Sequence, residues 1–187
     1  MALYCPDGFD LDPTYSTGNF YKAIKEPMLK MDLSPQAPGT TQADATAIPL
    51  KSDSLNSIMF DPPFVAAIPK GVATGIITTR FSYFRTIQHD LWPFYEKAIT
   101  EFYRVLKQNG ILVFKCQDTV DSSKQYMTHV HVMNLAVKAG FYPKDLFILT
   151  ADNRILNQAT QIHARKYHSY FWVFTKQKTA VDYSIQI

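Results

Sequence analysis

Asp12 heads the turn Pro13-Thr14-Tyr15-Ser16-Thr17-Gly18, and two more acids, Asp32 and Asp44, follow at spacings of 20 and 12 residues. A turn of small residues ending in glycine lets a ligand approach the backbone closely. An acid roughly 20 residues further on, at the next strand end, is placed to accept both hydroxyls of a ribose. Any one of these acids is equally at home as a helix N-cap. Three in order at strand ends favour a nucleoside-bearing ligand. The turn lacks Gly-x-Gly-x-x-Gly, and no Gly-Lys-Ser/Thr follows, which disfavours a dinucleotide or a phosphoryl donor. The most specific group is Asp61-Pro62-Pro63-Phe64. Alone it reads as a turn in which Asp accepts a backbone bond and the prolines fix extended geometry. Here it closes an apolar run and lies downstream of the three acids.

Alternating strands and helices must position these groups. Ser57–Phe60 is an apolar run that stops where Pro62 and Pro63 forbid further ladder bonds, so it predicts a buried strand. Over 91–107, Leu91, Tyr95, Ala98, Ile99, Phe102, Val105 and Leu106 recur at helical spacing, with Asp90 as the expected N-cap, Pro93 in the first turn and Gly110 past the end. Tyr95, Phe102 and Leu106 are expected in the core. Ile111–Phe114 predicts a second buried strand, and 128–139 a second helix closed by Gly140. The runs 145–149 and 170–174 predict two more strands, an antiparallel pair at one edge of the sheet, joined without a convincing helix. Residues 33–49 read as a loop inside the domain. Strands apolar on both faces and separated by helices define an α/β fold with a mostly parallel sheet covered on both sides. Ligands of such sheets sit beyond the carboxyl ends of the strands, near the switch in strand order.

Composition agrees with one globular domain and narrows its partners. The 187 residues are 47% hydrophobic and 14% aromatic, which excludes disorder and coiled coil. Two cysteines, Cys5 and Cys116, make neither a disulfide framework nor a Cys-x-x-Cys metal signature. His129 and His131 do not share a helix face, so no metal site is expected. No signal peptide and no long apolar run is present, and a cytoplasmic protein with no membrane contact is expected. The net charge of +3 conceals a gradient: residues 1–61 carry −4, residues 62–89 carry +3, residues 90–152 balance, and 153–187 carry +4. Chance in a small sample produces such gradients; so does a cationic ligand at one site with a polyanion at another. Arginine and lysine interleave with aromatics in the basic blocks. Lys70, Arg80 and Arg85 mark the first, and Arg165, Lys166 and His168 the second. Both are expected on the rim that carries Asp61, as phosphate-contacting and base-stacking surfaces or as solvated loops.

With these residues in view, the sequence resembles the amino-methyltransferase branch of the S-adenosylmethionine-dependent methyltransferases, nearest the DNA N6-adenine/N4-cytosine group. The resemblance spans about residues 8–175. Asp12 to Gly18 is similar to that family's Asp-Pro-Phe-x-Gly-Ser-Gly cofactor loop, with Ser16 where the first glycine is usual. Asp61 to Phe64 resembles its catalytic motif. Arg104-Val105-Leu106-Lys107 with Gly110 resembles the family's Arg-Val-Leu-Lys-Pro-Gly-Gly, and Lys115-Cys116-Gln117-Asp118 looks typical of bacterial and phage members.

The resemblance implies a single Rossmann-like class I methyltransferase domain over residues 1–176, with a tail at 177–187. It implies a mostly parallel seven-stranded sheet with an antiparallel edge strand and helices on both faces. S-adenosylmethionine is the implied cofactor, held by Asp12, Pro13, Ser16, Thr17, Gly18, Asp32, Asp44, Ala45 and Asp61. Asp61, Pro62, Pro63 and Phe64 are the implied catalytic residues: Asp61 and the Pro62 carbonyl accept the two hydrogens of an exocyclic amine, and Phe64 stacks on a flipped base. The implied partner is nucleic acid, expected to be DNA methylated at adenine N6. Three alternatives stay open: cytosine N4, an RNA substrate, and a catalytically idle fold serving as a nucleic-acid-binding subunit. No separate target-recognition region is visible in the sequence, which leaves a homodimer or a separate specificity subunit as further arrangements.

Overall fold

A computed structural model describes residues 3–64, 84, 86–121, 123–150 and 166–177. The strands in chain order are β1 (Leu11–Asp12), β2 (Leu29–Asp32), β3 (Thr41–Gln42), β4 (Leu55–Phe60), β5 (Leu106–Cys116), β6 (Thr119–Asp121), β7 (Lys124–Tyr126), β8 (Phe141–Thr150) and β9 (His168–Lys176). Two α-helices, α1 (Trp92–Val105) and α2 (Thr128–Ala139), complete the described elements together with a 3-10 turn at Asn19–Tyr21 and a π-helical turn at Ile87–Leu91. Seven strands form one sheet in the order β3-β2-β1-β4-β5-β9-β8, and β6 pairs with β7 in a separate hairpin. The pairs β3–β2, β2–β1, β1–β4 and β4–β5 are parallel, whereas β9 is antiparallel to both β5 and β8.

Period-two alternation sorts the central strands onto two cores. Ile58, Phe60, Leu112, Phe114 and Phe174 face a cluster with Tyr95, Ile99, Phe102 and Val105 of α1 and Val132 and Ala136 of α2. Phe60 meets Phe102 and Phe114 edge-on, at centroid distances of 4.7 and 5.0 Å. Met59, Val113, Val173 and Phe171 point to the other face, against Cys5, Phe9, Tyr15 and Tyr21. Helical cover is therefore uneven among the described residues. Both α-helices lie on one face, and the other is covered by the N-terminal loops and the 3-10 turn.

The alternating strands and helices, the parallel sheet and the antiparallel β8–β9 pair follow the sequence expectation. Four details differ, each for a local reason. The first helical run starts at Ile87, not after Asp90. Thr86 caps it, accepting from the His89 N–H at 3.2 Å, while the Asp90 carboxylate reaches back to the Thr86 N–H at 2.8 Å. Asp90 is thus the reciprocal partner of the cap rather than the cap. Residues 33–49 are not all loop, because Thr41 and Gln42 pair with Met31 and Asp32 as the short edge strand β3. The hairpin β6–β7 carries too few apolar residues to announce itself. Finally, the helix ends at Val105 and β5 starts at Leu106, so Gly110 lies inside the strand rather than just past the helix. The β8–β9 pair lies at the sheet edge as expected, and Phe147, Ile148 and Leu149 of β8 are exposed.

Strand order reverses between β1 and β4: β2 and β3 extend to one side of β1, β5 to the other side of β4. The crevice beyond the carboxyl ends of these two strands is the favoured ligand position of such a sheet. Asp12 ends β1 and Asp61 directly follows β4, so the two acids flank that crevice.

Candidate active site

A cleft of about 800 Å³ opens at this point. Its lining brings together Asp12, Pro13, Thr14, Ser16 and Thr17 after β1, Asp32 at the end of β2, Asp44 and Ala45 just past β3, Asp61 to Phe64 after β4, and Lys115 of β5. Gly18 is not in the lining; it shapes the loop. Its φ is +72°, and a Cβ there would stand 2.5 Å from the Tyr15 hydroxyl, so only glycine fits without displacing that ring. Ser16, at the usual glycine position, also has a left-handed backbone, with φ 55°. The Ser16 N–H donates to Asp32 Oδ2 at 2.8 Å, which ties the turn to the end of β2 and holds this conformation.

The acids differ in setting. Asp12 is 2% exposed. Its Oδ1 accepts from the Thr14 N–H at 2.7 Å and the Thr14 hydroxyl at 3.0 Å, and its Oδ2 accepts from the Tyr21 hydroxyl at 2.7 Å. Burial pushes its carboxyl up to about 7, against the lowering effect of these hydrogen bonds. Asp32 and Asp44 are more open and sit in backbone-capping bonds to Ser34 and Thr46, respectively. Each carboxylate oxygen has two lone-pair directions, so such bonds leave capacity for ligand hydroxyls.

Thr14 couples the two halves of the site. Its hydroxyl donates to Asp12 and accepts from the Asp61 N–H at 3.0 Å. The Asp61 carboxylate is paired with Lys115, Nζ to Oδ2 2.9 Å. Burial raises the Asp61 carboxyl and the Lys115 ammonium opposes that rise. From the core, the fully buried Tyr95 of α1 donates its hydroxyl to the Pro63 carbonyl at 2.6 Å. Tyr95 is in the core as its helical spacing predicts, and it also fixes the Asp61 loop. Tyr95→Phe keeps the ring and loses that anchor. Turnover is expected to fall by about tenfold as the loop loses its anchor, with cofactor affinity little changed and the midpoint of thermal unfolding lowered by a few degrees, the cost of one buried hydrogen bond. Steady-state kinetics beside a melting curve checks this.

Thr14, Tyr95 and Lys115 are the residues that sequence reasoning missed. No local pattern in the sequence marks Lys115; the strand register places it. Phe60 pairs with Phe114, so the next residues along the two parallel strands, Asp61 and Lys115, fall side by side. Of the expected nucleic-acid contacts, Lys70, Arg80, Arg85 and Arg165 lie outside the described residues. His168 opens β9, at the end of that strand that meets the carboxyl end of β5, and Lys166 lies two residues before it; neither is in the cleft lining. His168 Nε2 is 2.9 Å from the Tyr170 hydroxyl, and Asp118 is 2.7 Å from His129 Nδ1 in the same cluster. His131 stacks on Trp92, centroids 3.8 Å apart. Among the described residues no group of three metal-ligating side chains occurs, and no helix is long and apolar enough to cross a membrane.

The profile of the DNA methylase family matches residues 55–186, more than half of the chain. The chain belongs to that family. The matched stretch includes Asp61 to Phe64, α1, β5 and β9. Solved methyltransferases share the fold. The PvuII DNA methyltransferase (cytosine-N4-specific) aligns at 16% identity and TM-score 0.52, over 70% of this chain and 45% of its own. A Thermus thermophilus protein described as a DNA modification methylase, in complex with S-adenosyl-L-methionine, aligns at 16% identity and TM-score 0.50, over 74% of this chain and 55% of its own. A Listeria monocytogenes protein described as an S-adenosylmethionine-dependent methyltransferase aligns at 14% identity and TM-score 0.52, covering 90% of each chain. The chain spans about half the length of the PvuII and Thermus thermophilus proteins. No curated protein matches the sequence.

Proposed function

We propose that this chain transfers a methyl group from S-adenosylmethionine to an exocyclic amine of a nucleic-acid base, adenine N6 in DNA, with the base flipped out of the duplex. The observation that carries the reading is the Asp61-Pro62-Pro63-Phe64 loop at the strand-order switch, in one cleft with Asp12, Asp32 and Asp44. An acidic cleft with a close-approach turn and no phosphate cradle suits a cofactor that carries a ribose and positive charges rather than phosphates. Asp12, Asp32 and Asp44 would hold it, with the backbone of Ser16 and Thr17. When bound, S-adenosylmethionine supplies an electrophilic methyl group on a sulfonium.

The residues of the chain would do the rest. An exocyclic amine is a weak nucleophile because its lone pair is delocalised into the ring. Asp61 and the Pro62 carbonyl accept its two hydrogens, which favours a pyramidal nitrogen with its lone pair directed at the methyl group. Tyr95 and Thr14 hold that loop still, so its acceptors are aligned before the base arrives. Phe64 supplies a stacking face for the base. Residues 1–176 form the catalytic domain in this reading, with 177–187 as a tail.

The test is transfer of labelled methyl groups to unmodified DNA and to total RNA, followed by nuclease digestion and mass spectrometry. N6-methyladenine in DNA is the expected product. Label in RNA alone, or in neither, overturns the reading. Lys166, at the basic rim, is read as a phosphate contact: Lys166→Ala is expected to lower the slope of log affinity for DNA against log salt by about one. A fluorescence-anisotropy salt series measures it.

A further inference from the structure

Lys115 is an ammonium where a base-binding cleft has no obvious use for one. It follows the Phe60↔Phe114 register pair beside Asp61, and Phe171 of β9 lies opposite it on the other side. Its Nζ is 2.9 Å from Asp61 Oδ2, 5.6 Å from the centre of the Phe64 ring and 5.9 Å from that of Phe171. The side chains of Lys115 and Asp61 are 19% and 24% exposed, so the pair faces the cleft without being open to bulk water. An ammonium has three donors and the carboxylate of Asp61 takes one, so further donors remain for a ligand. Among the described residues Asp61 Oδ1 has no hydrogen-bond partner, while Oδ2 holds Lys115.

We propose that Asp61 and Lys115 together read the target base, the carboxylate accepting from the exocyclic amine and the ammonium donating to the adjacent ring nitrogen. The inference rests on the amino-methyltransferase reading and deepens it to a substrate class. Adenine and cytosine both present an amine beside an unprotonated ring nitrogen, N1 in adenine and N3 in cytosine. Guanine presents its amine between a protonated N1, which would meet the Lys115 ammonium donor to donor, and N3, which lies on the edge beside the sugar. A carboxylate and an ammonium side by side therefore match the pairing edge of the first two bases and not that of the third. A base stacked on Phe64 has its edge near this ammonium, because the ammonium itself sits against the Phe64 ring. Pairing with Asp61 need not be broken, since amine and ring nitrogen are joined through one carbon and meet neighbouring protein atoms. The same pair has a second consequence: the ammonium favours the ionised, accepting form of Asp61 against the cost of burial.

The test uses the full chain and single-stranded DNA in which the target adenine is replaced by 1-deazaadenine, which keeps the amine and lacks the N1 acceptor. The wild type is expected to lose about 10- to 100-fold in kcat/KM on the analogue, the worth of a hydrogen bond from a charged donor. Lys115→Met is expected to bring the two substrates within about twofold of each other, the only difference left being the intrinsic reactivity of the amines. Lys115→Gln keeps a neutral donor and is expected to fall between. Equal rates for the wild type on both substrates overturn the proposal without any variant. So does a Lys115→Met enzyme whose pH–rate profile shifts while its preference for adenine persists, since Lys115 would then act on Asp61 alone. A wild type that methylates no nucleic acid removes the amino-methyltransferase reading itself, and the base-reading role with it.

Discussion

Asp61→Ala is expected to reduce methyl transfer by about 100- to 1,000-fold or more, while S-adenosylmethionine affinity changes only a few-fold. The asymmetry follows from where the carboxylate sits. Its backbone N–H is held by Thr14 and its Oδ2 by Lys115. Its remaining oxygen is the acceptor proposed for the target amine. Removing it takes away an interaction that tightens as the amine becomes pyramidal, so the loss falls on kcat rather than on substrate binding. The cofactor keeps Asp12, Asp32 and Asp44, none of which depends on the Asp61 side chain for its hydrogen bonds. Lys115 loses its carboxylate partner and stays partly exposed, so water replaces that partner at modest cost. Isothermal titration with S-adenosylmethionine beside a labelled-methyl assay separates the two effects. Unchanged turnover removes Asp61 from the chemistry; a parallel collapse of cofactor binding makes it a structural residue of the cleft.

The parts of this site that were legible in the sequence are those carried by chain-local patterns. Asp61-Pro62-Pro63-Phe64 ends an apolar run, and Asp12, Asp32 and Asp44 lie at or just past the ends of short strands in order, so their placement at one rim follows from those strands running parallel. What escaped depends on register and on side chains that reach between elements. Lys115 meets Asp61 only because Phe60 pairs with Phe114 rather than with a residue two positions away. Tyr95 reads as a core residue at helical spacing and is one, yet its hydroxyl ends on a carbonyl 32 residues earlier. Thr14 looks like filler in a turn and links two acids through one hydroxyl. The edge position of the β8–β9 pair was legible because no helical pattern separates its two runs, which leaves an antiparallel pairing at one side of the sheet.

The second large effect concerns Asp12 and proton linkage. Burial pushes its carboxyl up to about 7. An unfolded Asp ionises near 3.9. Between these values the native state holds one proton more than the unfolded chain, so Asp12's contribution to stability is complete below about pH 4 and is lost as pH rises through about 7. Cofactor binding should run the opposite way. A sulfonium and an ammonium favour the ionised carboxylate, so affinity for S-adenosylmethionine is expected to fall approaching tenfold per pH unit below about 7 and to level off above it. Near pH 6 binding should release close to one proton, seen by titration calorimetry in two buffers of different ionisation enthalpy. Asp12→Asn can keep the Thr14 N–H bond through its amide oxygen and turn its NH2 toward Tyr21, so the fold should survive. It should also bind the cofactor more weakly, with no pH dependence and no proton release from this position. Asp61, also raised by burial, is the competing source of such a slope, and Asp61→Asn distinguishes it. An affinity constant between pH 5.5 and 7.5 (roughly the window that linkage sets) would falsify the assignment, as would an identical slope in Asp12→Asn. In either case Asp12 serves only to hold Thr14 and Tyr21 in place behind the cleft.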